Sequence, residues 1–257
     1  MWLIRTDSAG KELWNKTYGA TDWAQAYSVW QTADGGYILG GSTSSLESTY
    51  GAALLVKTDS LGNQQWSKTY ANARIFSLQQ TTDGGYILAG SISYSGPGDY
   101  GDFWLAKTDS NGNTQWNKTY SCTRLLDCWI EQANSVQQTK DGGYVLAGFA
   151  SSAGPANDEV WIVKTDEAGN VQADLTFGMG RRDCAYSVIE TQDGAYVAAG
   201  STEPAEHSAP YDFLLAKFRI LTVIPEFAAW IIMPFLMILT LAAAALLRRR
   251  KLTYRSF

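Results

Sequence analysis

Histidine occurs once in 257 residues, at His207, and cysteine three times, at Cys122, Cys128 and Cys184. Neither a histidine-rich metal site nor a nucleophile activated by a neighbouring imidazole has the residues it needs. No metal and no cofactor are expected on that basis. Residues 1–222 show no helical period of apolar positions. Their charge is in negative excess, with 15 Lys and Arg against 24 Asp and Glu, and a surface of that sign is a poor partner for nucleic acid. The chain opens "MWLIRTDSAG", already inside a repeat strand and offering neither an n-region nor an apolar h-region. The expectation is the C-terminal part of a longer exported protein, or a gene model begun late.

What the chain has in abundance is repetition. "QTADGGYILGG" from Gln31 returns as "QTTDGGYILAG" from Gln80, "QTKDGGYVLAG" from Gln138 and "ETQDGAYVAAG" from Glu190, so Asp34, Asp83, Asp141 and Asp193 stand 49, 58 and 52 residues apart. That is the period of a propeller blade. A second word, "WLIRTDSAGKELWNKTYG" from Trp2, keeps the same step at Leu54, Trp104 and Trp161, and a fifth, incomplete copy begins at Leu214. Each unit reads as two hairpins. The Asp-Gly-Gly turn of the first suggests a primed type, and the second carries Gly10, Gly62, Gly112 or Gly169 at a left-handed position. With 24 glycines and 33 aromatics, the fold class predicted is all-β, a propeller of about four four-stranded blades over residues 1–219, possibly incompletely closed. Seventeen strands are counted. A closed ring of four leaves one over, and closure would take Glu12–Tyr18 as the fourth strand of the last blade.

Composition changes abruptly after residue 222. Residues 220–227 form a linker, residues 228–247 are a 20-residue run without a charge, and 248–257 carry five positive charges beginning "RRRK". The run is long enough to cross a bilayer as a helix, and the basic cluster places the C-terminus in the cytoplasm and the repeats outside. The expected localisation is therefore a single-pass membrane protein with an extracellular repeat domain and the lipid bilayer as its first partner. Asn15 and Asn117 each open an Asn-Lys-Thr triplet, which fits N-glycosylation, and equally fits a strand word that happens to contain it.

The order Pro225-Glu226-Phe227, apolar span, basic cluster resembles the tripartite surface-sorting tails of archaea, which implies an archaeosortase-like processing enzyme as a partner. Ala228 stands where a second proline is common in such tails. The repeats resemble tandem β-propeller repeats of archaeal and bacterial surface proteins. Asp59-Ser60-Leu61-Gly62-Asn63-Gln64-Gln65-Trp66 is similar to the Asp-x-x-Gly-x-x-x-Trp turn of quinoprotein-type propellers. The adjacent cysteine pair that goes with the quinone cofactor is absent, so the likeness implies fold and not cofactor binding.

Residues that recur in every unit serve the blade: Trp14, Trp66 and Trp116 as packing between sheets, and Asp7, Asp59, Asp109 and Asp166 as turn formers, with glycine in the fourth place and not the sixth of a calcium loop. Function is sought where the repeat breaks. The connections before each first strand diverge most and bring Arg74, Arg124, Arg181 and Arg182 to one face, beside Asp22, Asp127 and Asp183, as a candidate grip for a carboxylate or sulfate. Solvated Arg–Asp pairs are the alternative. Cys122 and Cys128 are a candidate disulfide, and Cys184 can equally pair with Cys128. No nucleophile with a base and no recurring acid pair is visible. The expectation is a non-catalytic cell-surface module presenting a loop face for glycan, protein or cell-envelope contact. The alternatives are a structural surface-layer component and a degenerate glycan-active enzyme, for which Glu131, Asp127 and the arginines are the candidates.

Overall fold

Each Asp-Gly-Gly word closes a hairpin by the same short set of bonds. In the computed structural model of the chain, the Gly35 amide donates to Thr32 O at 2.9 Å and the Thr32 amide to Gly36 O at 3.0 Å. Gly35 has φ +80°, whereas Asp34 is not among the residues of positive φ. This is a type I turn ending in a left-handed glycine, in place of the primed turn the dipeptide suggested. The physical reason lies in the Asp34 carboxylate, which accepts from Thr32 Oγ1 at 2.5 Å and from the Gly36 amide at 3.0 Å and so holds its own residue in the right-handed region.

The structure describes residues 1–19, 23–45, 48–93, 101–122, 128–152, 158–178, 181–203 and 211–220. They form seventeen strands, matching the count made from the sequence. A hairpin of β1 (Trp2–Thr6) and β2 (Glu12–Thr17) comes first. Blade one is β3 (Ala24–Gln31), β4 (Tyr37–Ser45), β5 (Ser48–Thr58) and β6 (Gln64–Ala71), paired in chain order. Blade two is β7 (Ala73–Gln80), β8 (Tyr86–Ile92), β9 (Asp102–Thr108) and β10 (Thr114–Tyr120). Blade three is β11 (Cys128–Gln138), β12 (Tyr144–Ser152), β13 (Asp158–Thr165) and β14 (Val171–Phe177). The last has three strands, β15 (Arg182–Glu190), β16 (Tyr196–Glu203) and β17 (Asp212–Phe218). All neighbours within a blade are antiparallel, and one parallel bridge, Asp158 to Arg182, joins β13 to β15.

Of the two arrangements the sequence left open, the closed one, with Glu12–Tyr18 as the fourth strand of the last blade, does not form. Glu12–Thr17 pairs with β1, from Trp2↔Thr17 to Thr6↔Glu12, and among the described residues β17 pairs with β16 alone. A strand separated by five residues captures β2 at small loop-closure cost, and β1 is the surplus copy of the very strand that β17 repeats. The expected transmembrane helix, 228–247, lies outside the described residues. Among those described, no helix is long and apolar enough to cross a membrane.

Both faces of the interior blades are covered, which is why the apolar positions fail to alternate. Ile38, Ala53 and Leu55 of blade one meet Ile75, Leu78, Tyr86 and Trp104 of blade two. Ile87, Phe103 and Leu105 meet Tyr144, Leu146 and Trp161 at the next junction, where the Phe103 and Trp161 rings lie 4.3 Å apart. Val145, Val160 and Ile162 meet Val188, Tyr196 and Leu214 at the third. Burying a side chain of this size stabilises by about 1.5–3 kcal/mol, so the junctions between blades carry most of the core.

The recurring tryptophans and tyrosines staple these junctions. Trp66 lies so close over Gly112 that a methyl group there would sit 2.8 Å from the ring, and Tyr70 Oη donates to Gly112 O at 2.8 Å. Trp14 and Tyr18 treat Gly62 in the same way, and Trp116 and Tyr120 treat Gly169. At the last junction Ala173 and Phe177 stand at those registers, and Phe177 instead packs near Phe218, whose ring stacks on Tyr196 at 5.8 Å.

Candidate functional site

Chemistry-bearing groups converge where blade three gives way to the last blade. A cavity of about 510 Å³ opens there. Strand β11 supplies Gln132 and Asn134, β12 supplies Phe149, and Asp158 stands at the start of β13. From the other side come Arg182, Cys184 and Tyr186 on β15, Ser201 on β16, and Tyr211 just before β17. Three aromatic rings therefore line a space edged by amides, a hydroxyl, a carboxylate and a guanidinium. That mixture of flat apolar faces and few convergent polar groups is the make-up of a small-molecule pocket.

Hydrogen bonds hold the walls. Gln132 Nε2 donates to Asn134 Oδ1 at 2.6 Å, and Asn134 Nδ2 donates to Ala185 O at 2.9 Å, which ties the two blades together across the cavity floor. Ser151 Oγ donates to the Asp158 carboxylate, fixing its orientation. Arg182 Nε lies 3.8 Å from Glu203 Oε2, and Tyr211 Oη reaches the same carboxylate at 3.4 Å. Tyr211, then the charges of Asp158 and Glu203, hold the Arg182 guanidinium protonated more firmly than usual. Burial pushes the Cys184 thiol up to about 11, so it sits in the wall protonated and unreactive.

Of the four expected arginines, Arg182 reaches this cavity. Arg181 precedes it and bonds through its backbone, donating to Glu203 O and accepting from the Asp158 amide. Arg74 is exposed on β7, at the register of Gln132 and Cys184 but in blade two. Arg124, with Asp22 and Asp127, lies outside the described residues, as do His207 and Pro225, Glu226 and Phe227. Asp183 is fully buried, and Glu131, also buried, accepts from the Cys122 amide at 3.2 Å. Cys122 and Cys184 carry free thiols, and the Cys128 side chain lies outside the described ones. Asn15 and Asn117 are exposed on β2 and β10. Asp59 accepts from the Leu61 and Asn63 amides at 2.8 Å each, a turn-forming role.

Phe149, Asp158, Tyr186 and Tyr211 were not singled out from the sequence. A signal existed for one pair: first strands place Tyr27, Phe76 and Tyr186 at one register, and blade three breaks it with Asn134. Nothing in the repeat marks Asp158 or Glu203, because the two come from different blades at strand ends that vary freely.

No protein-family model and no curated protein sequence matches the chain. Solved structures do. An endo-arabinase from Bacteroides thetaiotaomicron is 12% identical with a TM-score of 0.51, covering 82% of this chain and 82% of its own. A protein of unknown function from Dyadobacter fermentans is 12% identical with a TM-score of 0.55, over 83% of this chain and 65% of its own. A xylan β-1,4-xylosidase from Bacillus halodurans is 14% identical with a TM-score of 0.46, over 74% of this chain. The chain spans 41% of that enzyme's length. The chain is an all-β propeller. The expectation of a non-catalytic module, and of no enzyme, is overturned by this likeness: an endo-arabinase has the same architecture along 82% of both chains. The absence of an acid pair within one repeat does not bear on this site, because the carboxylates whose charges act on Arg182, Asp158 and Glu203, come from two different blades.

Proposed function

We propose that the protein acts on glycans, with a sugar held in the cavity between blade three and the last blade. The reading is carried by one conjunction: a propeller similar to an endo-arabinase along 82% of both chains, and a cavity in it walled by Phe149, Tyr186 and Tyr211 with Asp158 and Arg182 at its edge. Aromatic faces take the apolar faces of sugar rings, and planar amide and carboxylate groups take the hydroxyls. Asp158 and Glu203, gathered around Arg182, are the carboxylates to which we assign glycosidic chemistry. One protonates the departing oxygen, and the other activates water or attacks the sugar carbon directly.

The test is release of reducing ends from arabinan, xylan and mannan by the purified full chain. Turnover on at least one is expected, with Asp158→Asn and Glu203→Gln each lowering kcat by about 100-fold or more while the circular-dichroism spectrum is unchanged. No turnover and no binding on any glycan sinks the reading.

We further propose that the propeller is displayed outside the cell, anchored in the bilayer by residues 228–247 and followed by the archaeal-type sorting and processing expected of Pro225-Glu226-Phe227. The charge change between residues 1–222 and 248–257 supports it. Protease added to intact cells is expected to remove the propeller, and full protection would rule the orientation out.

A further inference from the structure

The word "WNKTY" divides between the two faces of its strand. On β10, Trp116, Lys118 and Tyr120 turn toward blade three. A methyl group built on Gly169 would lie 2.8 Å from the Trp116 ring and 3.1 Å from Lys118 Cγ, and Tyr120 Oη donates to Gly169 O. Asn117 and Thr119 alternate with these three and are exposed on the other face. Among the described residues the Asn117 side chain takes part in no hydrogen bond or ion pair. Blade two is packed between blades one and three, so this setting does not depend on either end of the chain.

Comparison across the units separates what the blade requires from what it does not. The junction side repeats as Trp-x-Lys-x-Tyr in the opening hairpin, blade one and blade two. The register of Asn117 holds Asn15 in the opening hairpin but Ser67 in blade one and Asp174 in blade three. The strand therefore folds without asparagine at that place. A strand word that merely contains the triplet accounts for Lys118, which covers a glycine, and leaves Asn117 without a structural task.

We propose that Asn117 carries an N-linked glycan, with Asn117-Lys118-Thr119 as the acceptor triplet; the proposal rests on the reading that the propeller is displayed outside the cell. The donor is a polyprenyl-phosphate-linked oligosaccharide, used by a membrane transferase on the outer side. Asn117 Nδ2 attacks the anomeric carbon of the first sugar. A nitrogen–carbon bond forms, the bond from that carbon to the phosphate oxygen breaks, the lipid phosphate leaves with the electron pair, and the amide gives up one proton. The folded blade accommodates the product, because the side chain points away from the junction and no core contact is displaced. Within its sheet β10 pairs with β9 alone. A bulky, hydrophilic group beside that open edge keeps it from pairing with another sheet.

The test is mass spectrometry of the full chain from its own membranes, with protease accessibility measured on intact cells of the same culture. Trypsin releases residues 108–118 as one peptide. In wild type that peptide is expected to carry the mass of an oligosaccharide on Asn117. Thr119→Ser keeps the hydroxyl of the triplet and should retain the mass. Thr119→Val and Asn117→Gln should lose it, with the circular-dichroism spectrum unchanged throughout. A bare Asn117 in a wild-type propeller that the protease removes overturns the proposal and leaves the outside orientation standing. A bare Asn117 in a protected propeller overturns both. Sugar that stays on the peptide in Asn117→Gln or Thr119→Val belongs to another residue, and that result also overturns the proposal.

Discussion

Tyr120 Oη donates to the carbonyl of Gly169, 49 residues away, at 2.8 Å in a buried setting. The bond joins the outermost strand of one blade to the outer turn of the next, and burial with the nearby Asp166 charge raises the phenol well above its usual range. The phenol is therefore a donor throughout the neutral range. Tyr120→Phe is expected to lower the free energy of unfolding by about 1 kcal/mol in urea titration, with no change at the glycan cavity. Phe177, at the same register one blade on, has no such bond to lose, and Phe177→Leu should cost packing alone.

Gly112 combines φ +76° with the Trp66 ring 2.8 Å from where a Cβ would lie. Gly112→Ala meets both a strained backbone and a clash. A loss of about 2–3 kcal/mol is expected, read as a lower Tm. At Gly84, φ +83° but open on all sides, the same change should cost about 1 kcal/mol.

Lysines buried in the third strands hold the Asp-Gly-Gly turns. Lys57, Lys107 and Lys164 reach Asp34, Asp83 and Asp141 at 2.8 Å, with each lysine also bonded to a backbone carbonyl and a glutamine. The aspartates are half exposed, so Lys107→Met is expected to cost on the order of 1–2 kcal/mol, less than a fully buried pair would. In the last blade Ala195 replaces the second glycine. At Gly36 a Cβ would stand 2.7 Å from Lys57 Nζ. Lys217 accordingly approaches Asp193 from outside, 57% exposed, in a blade where no fourth strand among the described residues supplies the glutamine.

The same pairs set an acid limit. Hydrogen bonding to Lys57 and Thr32 lowers Asp34 to about 2 from 3.8. Asp83 is also lowered to about 2, the bonds from Lys107, Thr81 and the Gly85 amide outweighing its desolvation. A carboxylate whose folded pKa is depressed contributes stability above the unfolded value and loses it as pH falls through the folded one. Stability is expected to drop between about pH 4 and about pH 2, and Asp34→Asn should flatten that drop in a pH series of thermal melts. A melt series with an unaltered slope in the variant would refute the assignment.

Cys184 gives a readout of cavity occupancy. With its thiol pushed up to about 11, alkylation by iodoacetamide should be slow at neutral pH and accelerate toward pH 11. A bound oligosaccharide should slow it further. Equal rates with and without a glycan that binds would place that glycan elsewhere.

The spacing of Asp34, Asp83, Asp141 and Asp193, the two hairpin words and the five third-strand words were enough to specify seventeen strands and, from β3 onward, their grouping, because these strands pair with chain neighbours and local pairing is written in local residues. Turn glycines were legible for the same reason. The Lys–Asp pairs were not, although both residues recur in every blade: the repeat presents Asp34 and Lys57 23 positions apart, and their meeting depends on how β4 and β5 register. The cavity was less legible still. Arg182 was found through the divergence of its loop, but Asp158, Tyr186, Tyr211 and Glu203 acquire a common function only across a blade boundary. Whether the ring closes was likewise decided in three dimensions, where β1 captured β2 and left Phe213 and Trp2 exposed at opposite ends. Sequence determined what each blade is, since pairing and turn chemistry act over a few residues. Tertiary structure decided what the blades do together, since contacts between them depend on a packing geometry that no single repeat contains.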